Sequence, residues 1–233
     1  MPPKALLFDV FGTVVDWRTS LITELTPWFA DRRHQIDVTA LVDAWRGAYV
    51  PSMDRVRRGE MGWVNLDHLH RSSLDQLLEG LGIELAEGDR QHLTRAWWRL
   101  TPWPDAVPGL NRLAQRHTLA PLSNGSVALL TALAKRARLP WDVILSAELF
   151  RHYKRDAEVY LGAASLLQLE PGAIMMVAAH NDDLLAAQRL GFQTAFIGRP
   201  TEYGPHQTKD FAPEGDFTVV AADLVDLSYR LQG

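Results

Sequence analysis

The stretch ALLFDVFGT, residues 5–13, is the part of the chain that decides the fold. Residues 5–8 form a continuous apolar run, which is typical of a strand buried on both faces of a parallel sheet. The run ends at the acidic residue Asp9, and Gly12 and Thr13 then introduce a loop. We therefore predict a central strand that carries a carboxylate at its carboxyl end.

Downstream of residue 101 the sequence alternates between helix and strand patterns. The predicted strands cover residues 118–122, 143–145, 173–177 and 193–197, and the predicted helices cover residues 108–116, 127–138, 158–167 and 184–190. Strands that are separated by helices indicate βαβ units with right-handed crossovers. The expected fold class is α/β, with a doubly wound parallel sheet of the Rossmann-like kind.

The segment between these two parts has a different periodicity. From Trp17 onward apolar residues recur at helical spacing, as in Leu21 and Leu25, and no convincing strand interrupts them up to residue 100. We predict that residues 17–100 form an inserted all-helical cap. The Rossmann-like catalytic core then consists of residues 1–16 and 101–233, and the proline-rich stretch TPWP after the cap acts as a hinge.

Composition excludes several classes of function. The 233-residue chain has 47% hydrophobic and 22% charged residues, a net charge of −4 and no cysteine, so disulfides, thiolate nucleophiles and cysteine metal sites are ruled out. The chain lacks a long basic run for nucleic acid, and charged residues interrupt every long apolar stretch, so no membrane span is expected. The first apolar run is too short for a signal peptide, which makes the cytoplasm the expected location.

Polar residues follow several of the predicted strands. In a parallel sheet, ligands bind just beyond the carboxyl ends of the strands. Asp9 ends the first strand, Ser123 and Asn124 follow the second, and residues 180–183 follow another. Lys154 lies in a loop before a helix. We expect these loops to meet in one crevice, and we interpret that crevice as the active site.

Four motifs, in this order and spacing, resemble those of the haloacid dehalogenase superfamily. They are FDVFGT (residues 8–13), LSNGS (122–126), YKRDAEVY (153–160) and VAAHNDD (177–183), and together they span nearly the whole chain. Arg46 follows Trp45 in the predicted cap, as in the L-2-haloacid dehalogenase branch. The resemblance implies a hydrolase that removes halide from small 2-haloacids with water, needs no cofactor and is compatible with a homodimer.

The resemblance also assigns catalytic roles. Asp9 is expected to be the covalent nucleophile, ionised at neutral pH because the pKa of an unperturbed aspartate is about 3.9. Lys154 would offset the repulsion between Asp9 and the substrate carboxylate, and Asp183 would orient Lys154 or activate the hydrolytic water. Ser123 and Thr13 offer hydroxyls for a bound carboxylate. Taken alone, these side chains have plainer interpretations as turn caps, helix caps or a solvated charge.

A second group of candidates would surround the substrate. It consists of Arg46, Asn124, Phe11, Tyr160, His180 and Asn181. Arg46 and Asn124 are assigned to the departing halide, and Phe11 shapes an apolar pocket. Tyr160 matches a family tyrosine that helps hold the lysine and the acids, and a buried core tyrosine is an equally good interpretation. His180 stands where many members have asparagine, and it could polarise the water, contact the substrate carboxylate or merely fill space.

Two other functions are compatible with the sequence. A magnesium-dependent phosphatase of the same superfamily would use Asp9 with Asp182 and Asp183 around the cation. Phosphatases of this kind carry a second aspartate two residues after the nucleophile to protonate an alkoxide, and Phe11 stands there instead. A non-catalytic relative that kept the fold is the second alternative, although every presumed catalytic position is filled. We predict no metal site.

Overall fold

Helices and strands alternate along most of the chain in the computed structural model, which describes residues 2–232 apart from the side chain of His206. The strands are β1 (Ala5–Phe8), β2 (Val15–Asp16), β3 (Thr101–Pro102), β4 (Thr118–Ser123), β5 (Leu145–Ser146), β6 (Ile174–Ala178), β7 (Gln193–Ile197) and β8 (Val219–Ala221). The helices are α1 (Trp17–Asp31), α2 (Val38–Gly47), α3 (Tyr49–Arg57), α4 (Leu66–Gly80), α5 (Glu87–Thr94), α6 (Ala106–Leu113), α7 (Val127–Ala137), α8 (Ala157–Leu167), α9 (Asn181–Arg189) and α10 (Leu224–Arg230). Within residues 2–232, no helix has the length and apolar character needed to cross a membrane. The outer limits of the predicted core, Met1 and Gly233, lie outside the described residues.

The central sheet is parallel, with the strand order β5-β4-β1-β6-β7-β8 among the described residues. Strand β1 lies between β4 and β6, and Ala5 pairs with Thr118 on one side and Ile174 on the other. All of β1 is fully buried, which explains why its sequence is a continuous apolar run. The predicted doubly wound α/β fold is confirmed.

Apolar side chains cover both faces of β1, because successive side chains of a strand point to opposite faces. Leu6 and Phe8 belong to a hydrophobic cluster that continues into the cap helices. Ala5 and Leu7 belong to a second cluster on the opposite face, formed with residues of α8 and α9. Asp9 is therefore held at the end of a strand that is packed on both sides.

The predicted helical cap is present as α1 to α5. Two of its helices begin at capping carboxylates, since Asp16 accepts from the Thr19 N–H at 3.0 Å and Asp37 accepts from the Ala40 N–H at 2.9 Å. The predicted hinge contains a strand, because β3 pairs antiparallel with β2 and joins the two ends of the insertion. The exact division into domains at residues 17 and 100 stays a prediction.

The elements at the edges of the sheet differ most from the prediction. Strand β5 begins at Leu145 rather than at residue 143, and Val143 is 36% exposed outside the ladder. Strand β8 and helix α10 are not predicted, because β8 is short and Val220 in its middle is 42% exposed. Helix α9 begins at Asn181 rather than at residue 184, so the fourth motif continues into the helix.

Candidate active site

Asp9 lies at the carboxyl end of β1 with its carboxylate surrounded by donors. Its backbone N–H donates to the Val177 carbonyl oxygen at 2.9 Å, and its side chain is 12% exposed. Lys154 Nζ lies 3.0 Å from Asp9 Oδ1. Thr13 Oγ1 donates to Asp9 Oδ2 at 2.9 Å, and His180 Nδ1 lies 3.1 Å from the same oxygen. These contacts fix the orientation of the carboxylate.

The neighbours of Asp9 also stabilise its negative charge. Burial alone would raise the pKa of Asp9, because a carboxylate loses hydration when it is buried. The positive charges of Lys154 and His180 outweigh this effect and hold the pKa of Asp9 below its ordinary value. Asp9 is therefore ionised at neutral pH, as a nucleophilic role requires.

Lys154 is held between two carboxylates. Its Nζ lies 2.5 Å from Asp183 Oδ2 and 3.0 Å from Asp9 Oδ1, and it donates to the Leu122 carbonyl oxygen at 2.8 Å. Burial would lower the pKa of Lys154, but the charges of Asp183 and Asp9 raise it above its ordinary value. The side chain stays an ammonium ion, and its charge allows both carboxylates to share one pocket.

A cavity of about 360 Å³ opens in front of Asp9. Its core wall includes Asp9, Phe11, Asn124, Lys154, His180 and Asp183, and its cap wall includes Trp17, Arg46, Tyr49 and Met53. A cavity of this volume suits a small organic molecule. The core loops and the cap helices α2 and α3 thus enclose the nucleophile together.

Tyr160 lies behind Asp183 and is fully buried. Its hydroxyl donates to Asp183 Oδ1 at 2.5 Å, so it contacts the acid rather than the cavity in front of Asp9. Burial and the charge of Asp9 raise the pKa of Asp183, while Lys154 opposes this rise. Each oxygen of Asp183 has its own neighbour, because Tyr160 donates to Oδ1 and Lys154 pairs with Oδ2.

Arg46 and Asn124 lie on the side of the cavity near Tyr49. The guanidinium carbon of Arg46 is 4.2 Å from the centre of the Tyr49 ring, and Arg46 Nη1 is buried with no hydrogen-bond partner in the part of the chain that is described. Asn124 Nδ2 donates to the Tyr49 hydroxyl at 3.0 Å, and Asn124 Oδ1 accepts from the Lys154 N–H at 2.7 Å. An unpaired donor on a buried cation is suited to bind an anion.

The hydroxyls of Ser123 and Thr13 are engaged by the protein itself. Ser123 Oγ is fully buried and accepts from the Gly125 N–H at 3.2 Å. Thr13 Oγ1 accepts from the Ala179 N–H at 2.9 Å while it donates to Asp9. Thr13 thus orients the nucleophile and Ser123 supports the turn after β4, and contact of either hydroxyl with a substrate carboxylate stays a prediction.

Asn181 does not point into the cavity. Its Nδ2 donates to Asp210 Oδ1 and to the Ala212 carbonyl oxygen, each at 3.0 Å, and its Oδ1 accepts from the Glu214 N–H at 2.8 Å. Successive residues at the start of a helix point in directions about 100° apart, so the neighbour of His180 faces elsewhere. The predicted place of Asn181 among the substrate-binding residues is corrected to a role in holding this loop.

Glu202 is a site residue that the sequence patterns do not single out. It follows β7, and its buried side chain accepts from Trp17 Nε1 at 2.9 Å and lies 3.0 Å from His180 Nε2. Burial would raise the pKa of Glu202, but His180 and Arg46 outweigh it and hold that pKa below its ordinary value. The rule that ligands gather beyond strand ends points to this segment, because β7 is among the predicted strands.

The family follows from comparison with known proteins. Residues 3–191 match the family model of the haloacid dehalogenase-like hydrolases. The chain belongs to the haloacid dehalogenase-like hydrolases. Among these hydrolases, the (S)-2-haloacid dehalogenase of Pseudomonas sp. (strain YL) is 30% identical, over 84% of this chain and 83% of its own length.

Solved structures of haloacid dehalogenase-like hydrolases resemble this chain over nearly its whole length. The L-2-haloacid dehalogenase PA0810 is 49% identical, with a TM-score of 0.97 and 99% of each chain covered. The defluorinating L-2-haloacid dehalogenase Rha0230 is 46% identical, with a TM-score of 0.97, covering 99% of this chain and 96% of that chain. The resemblance drawn from the four motifs is confirmed.

Proposed function

We propose that this chain hydrolyses small 2-haloacids to 2-hydroxyacids through an ester on Asp9. The observation that carries the proposal is the buried carboxylate of Asp9, which lies 3.0 Å from the ammonium nitrogen of Lys154 and lines the cavity. An anion of this kind can attack carbon without first losing a proton. The names of the similar (S)-2- and L-2-haloacid dehalogenases support the same substrate class.

In the first half reaction, a carboxylate oxygen of Asp9 attacks the halogen-bearing carbon in line with the carbon–halogen bond. A carbon–oxygen bond forms, the carbon–halogen bond breaks, and halide leaves with the bonding electron pair. Lys154 reduces the repulsion between Asp9 and the substrate carboxylate, which would otherwise meet as two anions in a poorly hydrated pocket. In-line attack inverts the configuration at carbon.

The departing halide is assigned to Arg46 and Asn124. The unpaired Nη1 of Arg46 and the amide of Asn124 lie beside the same Tyr49 side chain, so both can donate to an anion in that part of the cavity. Phe11 contributes apolar surface to the cavity wall, which suits the hydrocarbon part of a small haloacid.

In the second half reaction, water attacks the carboxyl carbon of the Asp9 ester. The bond between that carbon and the alkyl oxygen breaks, so the hydroxyacid leaves with an oxygen that belonged to Asp9. Lys154 stabilises the oxyanion of the tetrahedral intermediate in this scheme, which the 3.0 Å distance from its Nζ to Asp9 Oδ1 supports, and Asp183 keeps Lys154 in position through their ion pair.

The magnesium-dependent phosphatase is the weaker alternative. Phe11 is buried and packs edge to face on Trp97, with 5.7 Å between ring centroids, so no acid occupies this position after Asp9. Asp182 is 61% exposed and pairs with Arg155. Lys154 supplies the positive charge beside Asp9, so the proposed steps use no metal or other cofactor.

A halide-release assay tests the proposal. We expect halide from (S)-2-chloropropionate and chloroacetate without magnesium, and none from Asp9→Asn. The matched control is Asp31→Asn, at an exposed carboxylate on the last residue of α1, and it should keep full activity. Fluoroacetate and the (R)-enantiomer complete the set, since one similar structure is of a defluorinating enzyme. Magnesium-dependent phosphate release from a phosphate monoester, without halide release from any haloacid, would establish the phosphatase instead.

The haloacid and water are the partners that the proposal requires. A cytoplasmic location and a homodimeric assembly stay predictions. Cell fractionation checks the location, and light scattering on the purified chain checks the assembly.

A further inference from the structure

His180 bridges two buried carboxylates. Its Nδ1 lies 3.1 Å from Asp9 Oδ2, and its Nε2 lies 3.1 Å and 3.0 Å from the two carboxylate oxygens of Glu202. The His180 side chain lines the cavity, whereas the Glu202 side chain is only 1% exposed. One nitrogen of the imidazole therefore faces the reacting carboxylate, and the other is held from behind.

The position of Glu202 is built from distant parts of the chain. Trp17 Nε1 donates to Glu202 Oε1 at 2.9 Å. Gly12 lies so close that a Cβ there would be 2.1 Å from the same oxygen, and its φ of +90° suits glycine. A buried carboxylate needs paired partners to offset its lost hydration. The two half reactions of the proposed function assign no role to the buried carboxylate of Glu202 behind His180.

We propose that His180, supported by Glu202, is the general base that takes a proton from the water that hydrolyses the Asp9 ester. This role rests on the proposed function, because it belongs to the second half reaction of the same site. His180 Nδ1 lies beside the carboxyl group of Asp9, so one water molecule can bridge it and the carbon under attack. Glu202 is a positioning residue, which holds the ring and stabilises the imidazolium after the proton transfer.

Formation of the ester changes the charges that face His180. In the resting enzyme the ring faces Asp9 and Glu202, while Lys154 pairs with the other oxygen of Asp9 and Arg46 acts on Glu202. Burial would lower the pKa of His180, but Glu202 and Asp9 raise it well above its ordinary value, so the two carboxylates favour the imidazolium form of the resting ring. The ester removes the charge of Asp9. The ring then holds its proton less tightly and becomes a base when one is needed.

The protons balance over the two half reactions. His180 releases one proton to solvent after halide has left, and this proton and the halide together are the hydrogen halide product. The oxygen of water then bonds to the carboxyl carbon of Asp9 while a proton moves to Nδ1. The bond from that carbon to the alkyl oxygen breaks, the alkoxide takes the proton from His180, and the carboxylic acid of Asp9 returns a proton to the ring. Asp9 is again a carboxylate and His180 again an imidazolium.

Rapid-quench kinetics of His180→Asn test the proposal. The asparagine amide can keep a donor near Asp9 Oδ2, but it cannot take up a proton. With (S)-2-chloropropionate we expect a burst of one chloride per enzyme, turnover slowed about 10²- to 10⁴-fold, and an ester on the Asp9 peptide detected by mass. The control is His117→Asn, because His117 bonds the Pro3 carbonyl oxygen just before β4, and it should match the wild type.

Glu202→Gln keeps the size of the side chain and removes its charge. We expect the chloride burst to remain and ester hydrolysis to slow. The rise of hydrolysis with pH should move to lower pH, because the ring loses the charge that stabilises its proton. In the wild type, the rate of ester hydrolysis in a single turnover should rise with pH, while the burst should not follow the same curve.

Several outcomes would overturn this role. One is unchanged turnover in His180→Asn. Another is equal slowing of both half reactions without accumulation of ester, which would mean that His180 only positions the carboxylate of Asp9. If neither variant folds, the wild type still decides: a rate of Asp9 ester hydrolysis that does not change with pH would exclude His180 as a general base. Failure of the proposed function looks different. If oxygen-18 from water enters the hydroxyacid directly in a wild-type single turnover, no ester forms on Asp9, so failure of the ester mechanism is distinguishable from failure of the role of His180.

Discussion

Replacing Lys154 by methionine removes the positive charge from a pocket that keeps two carboxylates. Lys154 Nζ lies 3.0 Å from Asp9 Oδ1 and 2.5 Å from Asp183 Oδ2, and all three side chains are almost inaccessible to solvent. Removing one partner of a buried ion pair costs about 3–5 kcal/mol, because the charge left behind loses that counter-ion; here Asp9 keeps only His180. Near pH 8 we expect Lys154→Met to lower the free energy of unfolding by that amount, and the Tm by about 6–20 °C.

The pH dependence of this loss identifies its cause. In the wild type the pKa of Asp9 is depressed, so its interactions stabilise the fold above the unfolded pKa of about 3.9, and this stability is lost as the pH falls further. Without Lys154, the pKa of Asp9 and the pKa of Asp183 in the folded state both rise relative to the wild type, because only His180 then opposes the effect of burial on Asp9. Protonation of these carboxylates then relieves their repulsion as the pH falls. The variant should therefore be closer to the wild type at pH 5 than at pH 8.

Urea unfolding followed by circular dichroism at both pH values measures this effect, and chloride release from (S)-2-chloropropionate measures the loss of activity. The control is Lys135→Met, which removes the same charge from an exposed position on α7 and should change the stability by less than about 0.5 kcal/mol. Equal stability of the two variants, or a larger loss for Lys154→Met at pH 5 than at pH 8, would refute the electrostatic role of Lys154.

Three further substitutions have defined outcomes. Gly12→Ala places a Cβ 2.1 Å from Glu202 Oε1 at a φ of +90°, so urea unfolding should show a loss of about 1–3 kcal/mol or more, and wild-type stability would contradict the close approach. Tyr160→Phe removes the hydroxyl that donates to Asp183 Oδ1 at 2.5 Å, and a hydrogen bond to a charged group contributes about 1.5–3 kcal/mol. Asp183 should then hold Lys154 less firmly, so kcat for halide release should fall with little change in KM. Arg46→Met removes the unpaired guanidinium nitrogen, so chloride release should slow in a variant with an unchanged circular dichroism spectrum; wild-type kinetics would take Arg46 out of the halide site.

Much of the fold can be predicted from local pattern. The apolar run at residues 5–8 predicts β1 because both of its faces are buried, and the strands at β4, β6 and β7 follow the same logic. The edge strands are harder, because exposed residues such as Val143 and Val220 interrupt the pattern of burial there. The antiparallel pair β2–β3 is set by a long-range contact, and two residues on each side leave no periodicity to detect.

The site shows the same contrast between features that local sequence predicts and features that depend on long-range contacts. The contacts of Lys154 with Asp9 and Asp183 agree with the positions that the motifs indicate. Glu202 reaches the site by a contact with Trp17, 185 residues away in sequence, and no local motif announces a contact of that kind. Asn181 adjoins a site residue in sequence but points away from it, because the start of α9 turns successive side chains in different directions.

A single turnover in water enriched in oxygen-18, with the enzyme in excess over substrate, tests covalent catalysis by Asp9 most directly. The ester mechanism places the heavy oxygen in the carboxyl group of Asp9, where mass spectrometry of the peptide that contains it detects the label, and it leaves the first hydroxyacid unlabelled. Heavy oxygen in that hydroxyacid, with none in Asp9, would mean that water attacks the substrate carbon itself and would contradict the nucleophilic role of Asp9.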